Sequence, residues 1–275
     1  MALDGIAVVT GTGSGIGREI ALAYAAAGAA GVALADLHPQ NAEQVAIESR
    51  ATAINPDFRT LVLSVDISLE ESVDQMISEV VAEFGRIDYA VNSAGIGVQF
   101  PAEVSEISVS EFDAFYNVNV RGTLLFTKAV SRILKLQARR TIQGCRSGTA
   151  RDVGHGCIVN IASCNSYIPT REIVQYTAAK HAVMGITKNA ALDNAVHGIR
   201  VNAVCPSWVQ GPMMDRVFDG NPAFEEEVLK AIPLGRLAVA EEVSEAVMFL
   251  SGPGASYITG VGLIIDGGTT LQTRT

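Results

Sequence analysis

Charge and aromatic content are both low: of 275 residues, 18% are charged and 6% aromatic, with one tryptophan, four histidines and four cysteines. The cysteines (Cys145, Cys157, Cys164, Cys205) include no C-x-x-C pair. The histidines (His38, His155, His181, His197) include no H-x-x-x-H pair. Neither a structural zinc site nor a disulfide framework is expected, and no metal is assigned. No run approaches the ~18 consecutive apolar residues of a membrane span. The opening MALDGIAVVTGTGSGIG carries Asp4 and runs straight into a glycine loop, which is not the pattern of a secretory leader. Lys and Arg number 20 against 29 Asp and Glu, so the net charge is −9 and there is no general basic face to meet phosphates. A cytoplasmic protein with no nucleic-acid and no membrane partner is expected.

What is present is apolar and periodic. Hydrophobic residues make up 48% of the chain, enough for a large buried core. Short apolar runs at 6–10, 32–35, 61–65, 88–91, 157–161, 200–204 and 263–265 alternate with longer helical stretches at 16–27, 40–54, 72–84, 110–136, 175–196 and 241–250. The runs are continuously apolar and do not alternate with polar residues, which marks strands covered on both faces. The fold expected is α/β, a doubly wound, parallel, seven-stranded sheet of the Rossmann type with helices on both faces. Residues 1–275 read as one domain. Residues 137–156, rich in Gly and Arg, read as an extended loop inserted between a helix and a strand. Between Arg132 and His155 there are six basic residues (Arg132, Lys135, Arg139, Arg140, Arg146, Arg151) and one acid, Asp152. That run is either solvated surface or a contact for an acidic partner or subunit.

The glycine loop Thr10-Gly11-Thr12-Gly13-Ser14-Gly15-Ile16-Gly17 joins the first strand to the first helix. A helix N-terminus presents unpaired N–H groups and partial positive charge, which suits a pyrophosphate, and glycines allow the backbone to approach it. The loop has the spacing G-x-x-x-G-x-G; on its own it is equally a tight strand-to-helix turn. The second strand ends at Asp36, 19 residues beyond Gly17, where a carboxylate accepts hydrogen bonds from ribose hydroxyls and repels a 2′-phosphate. The pairing of loop and acid points to NAD, with NADP less favoured.

Tyr176 and Lys180 lie four apart in a helical pattern and share a face. A phenol titrates near ~10, and an adjacent ammonium favours its phenolate, which would let Tyr176 exchange a proton with a substrate hydroxyl or carbonyl. The same pair could be a buried tyrosine with a surface lysine. Ser163 follows the apolar run 157–161, at the strand end where doubly wound sheets bind ligands. Asn119 lies in the 110–136 helix and could hold a water beside Lys180.

These segments together resemble the short-chain dehydrogenase/reductase family in its compact single-domain form. TGTGSGIG resembles the family's cofactor loop, NSAG (Asn92–Gly95) its strand-stabilising motif with Ser93 where Asn is usual, and NVNVRG its helix asparagine. IVNIAS carries its serine and YTAAK its tyrosine and lysine, with Ser163 thirteen residues before Tyr176. The resemblance implies four catalytic residues, Asn119, Ser163, Tyr176 and Lys180. Tyr176 would be the acid/base, Lys180 would lower its pKa and hold the nicotinamide ribose, Ser163 would polarise the substrate oxygen and Asn119 would complete a water relay. It further implies cofactor contacts from Gly11, Ser14, Gly15, Ile16, Gly17, Asp36, Asp66, Ile67, Asn92, Ala94, Gly95, Tyr176, Lys180 and Val209. Ser207 after Pro206 departs from the usual Gly, and Gly211 from a usual Thr.

Residues 208–237 would then form a substrate lid containing Trp208, Met213, Met214, Val217, Phe218 and Phe224, either lining a pocket for a moderately hydrophobic alcohol or ketone or packing a short helix. The expected activity is hydride transfer between NAD(H) and a secondary alcohol or ketone, in a homotetramer or homodimer joined through the two long helices. The alternatives are an NADPH-type carbonyl reductase of a biosynthetic pathway and a non-catalytic dinucleotide-binding protein.

Overall fold

Continuous apolar runs become the strands of one sheet, and the longer stretches between them become its covering helices. The computed structural model describes residues 3–98, 101–143, 148–219 and 221–272. The chain begins with β1 (Ile6–Thr10), α1 (Gly15–Ala26), β2 (Gly31–Asp36), α2 (Pro39–Thr52), β3 (Arg59–Ser64), α3 (Glu70–Phe84) and β4 (Tyr89–Asn92). It continues through α4 (Val109–Phe115), α5 (Gly122–Leu134), β5 (Arg140–Gln143), β6 (Ala150–Gly154), β7 (Gly156–Ile161), α6 (Val174–Ala195) and β8 (Ile199–Pro206). Helices α7 (Pro212–Phe218), α8 (Pro222–Lys230) and α9 (Ala240–Ser251) precede β9 (Gly262–Ile265). The sheet has seven strands in the order β3-β2-β1-β4-β7-β8-β9, every neighbouring pair parallel.

Alternate residues of each strand serve opposite layers. Ala7, Val9, Val32, Leu34, Val91, Val159 and Val204 meet Ile20 and Tyr24 of α1, Val45 of α2 and Val243, Val247 and Leu250 of α9. Val8, Ala33, Ala90, Ile158 and Val201 meet Val73 and Val80 of α3 and Phe126 and Val130 of α5. Strand order reverses between β1 and β4, so their diverging crossovers open a crevice above those two tips.

Two elements differ from expectation. The single helix expected over 110–136 is interrupted: a π-helical segment, Tyr116–Arg121, stands between α4 and α5. The segment reads YNVNVR, asparagine and valine being weak helix formers, and the widened turn carries Asn119 inward. The segment 137–156, expected as an extended loop, instead carries an antiparallel hairpin, β5 paired with β6; Cys145 and Arg146 lie outside the described residues. The hairpin lies at the N-terminal end of the sheet. There Arg140 donates to Tyr89 Oη (2.9 Å) and pairs with Asp4 and the buried Asp88, while Arg139 pairs with Asp152 and Arg151 donates to Pro253 O. These basic side chains therefore meet groups of their own chain. Gly154, at φ +85°, seats the hairpin: a Cβ there would fall 1.8 Å from Gly198 O.

Candidate active site

The site is assembled on strand tips. At β1 and β4, Thr10 Oγ1 donates to Asn92 Oδ1 (2.8 Å) and accepts the Ser93 and Ala94 N–H groups (3.2 and 3.1 Å). Asn92 Nδ2 donates to Thr123 Oγ1 (2.9 Å), whose hydroxyl donates to Asn119 O (2.7 Å). The Asn119 amide in turn grips the backbone of Ile96, accepting its N–H (2.9 Å) and donating to its carbonyl (3.0 Å). The Asn119 amide is thus engaged with the chain that passes over β4. Every member of the Thr10–Asn92–Thr123–Asn119 series is buried.

Above this floor the glycine loop is shaped by close approach. A Cβ on Gly11, which has φ +71°, would lie 2.8 Å from Ala94 N, and one on Gly17 would lie 2.0 Å from Gly11 O. Above Gly15 there is open space, with no heavy atom within 4 Å of an added Cβ. Ser14 precedes α1 without capping it by its side chain, and the first turn holds no acid. The N–H groups of Gly15, Ile16 and Gly17 thus head a helix whose end is left for an anion. Asp36 closes the β2 side, its Oδ2 accepting Gly13 N–H (2.8 Å) and its Oδ1 accepting His38 N–H (2.9 Å). Asp66 turns Oδ1 to the Ser68 N–H and hydroxyl, and Ile67 is buried against Gly122. The cradle fits a dinucleotide: an open pyrophosphate position, a carboxylate at the ribose position and a preformed crevice.

Ser163, Tyr176 and Lys180 come together over β7 and β8. Ser163 heads a one-turn 3₁₀ segment, Cys164–Ser166, that is tied to α6 by Ser166 Oγ donating to Lys180 O (2.7 Å). Tyr176 stands near the Ser163 hydroxyl and packs edge-on to Phe115, with ring centres 6.2 Å apart. Lys180 Nζ lies 5.5 Å from the centre of the Tyr176 ring and donates to Ile161 O (2.9 Å). Burial pushes the Tyr176 phenol up to about 12, opposed by the nearby Ser163 hydroxyl, and draws the Lys180 ammonium down to about 8. Lost hydration is the leading cause of both shifts. Burial holds the thiol of Cys205, from β8, up at about 12.

The lid begins against the glycine loop, where a Cβ at Gly211 would lie 4.0 Å from Gly15 Cα. Val209 bridges in parallel to Ala238. Trp208, Phe218 and Phe224 pack with Val228, Ile232 and Leu237, and Met214 is buried, so most of the expected lid residues stabilise the lid itself. Met213 differs: it is exposed and reaches Gly97, where an added Cβ would lie 2.7 Å from its Sδ. Sequence reasoning missed Thr10, Thr123 and Asn165. The last sits two residues after Ser163, a Ser-x-Asn spacing suited to a side-chain turn. A cavity of about 50 Å³ lined by Asp88, Tyr89, Arg140, Cys157 and Arg200 lies at the far end of the strands, away from this site. Among the described residues no three His, Cys, Asp or Glu side chains gather as metal ligands, and no helix is long and apolar enough to cross a membrane.

Comparison with known proteins agrees with this geometry. The family model described as enoyl-(acyl carrier protein) reductase matches residues 11–270. The chain is 52% identical over 275 residues to the short-chain dehydrogenase anuF of Penicillium roqueforti, covering 100% of this chain and 99% of that protein. It is 36% identical over 263 residues to a 2,5-dichloro-2,5-cyclohexadiene-1,4-diol dehydrogenase of Sphingobium indicum, covering 96% of each. Among solved structures, levodione reductase superposes with a TM-score of 0.87 at 30% identity, covering 99% of this chain and 100% of that one. The chain belongs to the short-chain dehydrogenase/reductase family and is an oxidoreductase that works with a nicotinamide dinucleotide.

Proposed function

We propose that the protein transfers hydride between NAD(H) and a secondary alcohol or ketone, with Tyr176 as the acid/base. The observation that carries this reading is the meeting of Ser163, Tyr176 and Lys180 at the tips of β7 and β8, beside the crevice between β1 and β4. The bound dinucleotide supplies the hydride acceptor or donor. Tyr176 takes the alcohol proton in oxidation and returns it in reduction, and Ser163 holds the substrate oxygen at hydrogen-bond distance. Lys180, fixed by Ile161 O, places its positive charge beside the Tyr176 ring, and Asn119 keeps the Ile96 segment in place at the edge of the crevice. Gly11, Ser14, Gly15, Ile16 and Gly17 would hold the pyrophosphate, and Asp36 the adenosine ribose. Asp66, Ile67, Asn92, Ala94, Gly95 and Val209 would border the remainder of the cofactor.

Preference for NAD is supported by the Asp36 carboxylate at the tip of β2, where a 2′-phosphate would meet like charge. A ring-borne secondary alcohol is the substrate class we favour. Exposed Met213 gives the mouth an apolar surface, and a relative acts on a cyclohexadiene diol. Exposed Leu124 on α5, Leu192 on α6 and Val196 just beyond it support association of copies as a homodimer or homotetramer. Three described cysteines, Cys157, Cys164 and Cys205, are free and buried, in keeping with a cytoplasmic setting. Initial rates on a panel of cyclic and acyclic secondary alcohols with NAD and NADP test the proposal. A higher kcat/KM with NADP would overturn the reading of Asp36. Tyr176→Phe is expected to abolish turnover while NAD binding, followed by calorimetry, stays within a few-fold; near-normal turnover in that variant would remove Tyr176 from the chemistry.

A further inference from the structure

The start of α7 runs from one side of the crevice to the other. Gly211 stands beside the glycine loop that follows β1, where an added Cβ would lie 4.0 Å from Gly15 Cα. Met213, two residues on, lies against Gly97 beyond β4. An added Cβ at Gly97 would meet the Met213 side chain at Sδ (2.7 Å), Cε (3.1 Å) and Cγ (3.2 Å). The strip under Met213 is firmly placed, because Asn119 holds both the N–H and the carbonyl of the preceding residue, Ile96 (2.9 and 3.0 Å). The two ends of the lid are fixed elsewhere. Gln210 N–H donates to Ala238 O (2.8 Å) and Ala238 N–H to Trp208 O (3.0 Å), while Leu234 N–H donates to Gly267 O (3.2 Å).

Gly211 adopts φ +144° and ψ −179°, a region that residues with a Cβ enter only under strain. Glycine offers no side chain to hold the lid to a dinucleotide, and a threonine at this place would be strained. The seat at Gly97 supplies a different fastening: the absence of a Cβ lets the flexible Met213 thioether lie directly on backbone. Resting on the placement of the dinucleotide given above, we propose that Met213 is a positioning residue that latches the lid onto Gly97, and that release of the dinucleotide waits for this contact to open. The lid is then fastened across the crevice to the protein itself, and it closes whether or not the crevice is filled.

The test is stopped-flow release of NADH. Protein loaded with NADH is mixed with excess NAD, without alcohol or ketone, and the loss of NADH fluorescence is followed. Met213→Ala removes the latch. Gly97→Ala pushes the far end of the same side chain off its seat; Gly97 is outside the left-handed region, so the backbone accepts the methyl. Met213 is 45% exposed, and losing the covered remainder of its apolar surface should speed release about fivefold in either variant. Because both substitutions act on one contact, the double variant should be no faster than either alone. Met213→Leu keeps an apolar chain on Gly97 and should restore slow release. In protein without nucleotide, trypsin should cut at the exposed Arg216 of α7 faster in the two alanine variants, as the open lid becomes more populated. Unchanged release together with unchanged cleavage, or effects that multiply in the double variant, would overturn the proposal. Faster cleavage with unchanged release would show that the latch is real but that the dinucleotide does not lie behind it, and then it is the placement of the cofactor that fails.

Discussion

Replacing Lys180 by methionine should make the protein inactive and more stable. The lysine is 8% exposed, and its ammonium has a single described hydrogen bond, to Ile161 O. Burial lowers its pKa from the usual 10.5 to about 8. At about 1.4 kcal/mol per pH unit, keeping the charged form in that pocket costs about 3 kcal/mol of folding stability at neutral pH. Methionine has similar length and no charge, but it leaves the Ile161 carbonyl without its donor, which costs about 1 kcal/mol. The net gain is about 2 kcal/mol at pH 7, or roughly 5 °C in Tm for a chain of this size. The sign of the pH dependence follows from the depressed value. Below about pH 8 the lysine is charged in both folded and unfolded chains, and the full penalty applies. Between about 8 and 10.5 the unfolded chain binds more protons, so the wild-type protein gains stability as pH rises. Above 10.5 the lysine is neutral in both states and the penalty is gone. Urea unfolding of both proteins between pH 7 and 10.5 should therefore show the advantage of Lys180→Met shrinking and finally reversing. A variant less stable than wild type at pH 7, or an advantage independent of pH, would refute the reasoning.

Two further substitutions examine the ends of the sheet. Asp88→Ala should destabilise by about 3 kcal/mol in urea unfolding at pH 7, because it leaves the Ile6 N–H and the Arg86 and Arg140 guanidinium groups without their buried acceptor; Tyr176-dependent turnover should survive in the folded fraction. Gly17→Ala places a Cβ 2.0 Å from Gly11 O, backbone against backbone, so NAD affinity measured by fluorescence should fall by at least tenfold, and unchanged affinity would show that the loop can yield.

Much of the sheet was legible because its strands are buried on both faces and so carry a continuous apolar signal: β1, β2, β4, β7 and β8 appear as runs that no surface segment would contain. The hairpin was not legible. Its strands, RTIQ and ARDVG, are short, largely exposed and rich in residues with no strand preference, and they form because Arg140, Gln137 and Gly154 fit the N-terminal end of the sheet. The π-helical break likewise depends on a distant partner, the Ile96 backbone held by Asn119. In the site, spacing was enough to place Tyr176 and Lys180 on one helical face, but the direction of their pKa shifts was not in the spacing. It depends on how completely Phe115, β8 and the turn after Ser163 exclude water, which is a property of packing between segments far apart in the chain.

The two halves of the site differ in readiness for that same reason. The floor between β1 and β4 is a closed series of hydrogen bonds from Thr10 through Asn92 and Thr123 to Asn119 and Ile96, so the crevice needs no rearrangement to exist. In the Ser163–Tyr176–Lys180 group, burial raises the phenol to about 12 and lowers the ammonium to about 8. The phenol moves back toward working range if positive charge enters the crevice beside Tyr176, whereas the ammonium is restored only by hydrogen-bond acceptors and is lowered further by that same charge. Occupation of the floor by a dinucleotide should therefore switch on the proton chemistry as well as provide the hydride. In a titration of tyrosinate absorbance, NAD should lower the Tyr176 transition by more than NADH, since only the oxidised ring is cationic; equal transitions with the two would show that the dinucleotide acts on Tyr176 through hydration alone.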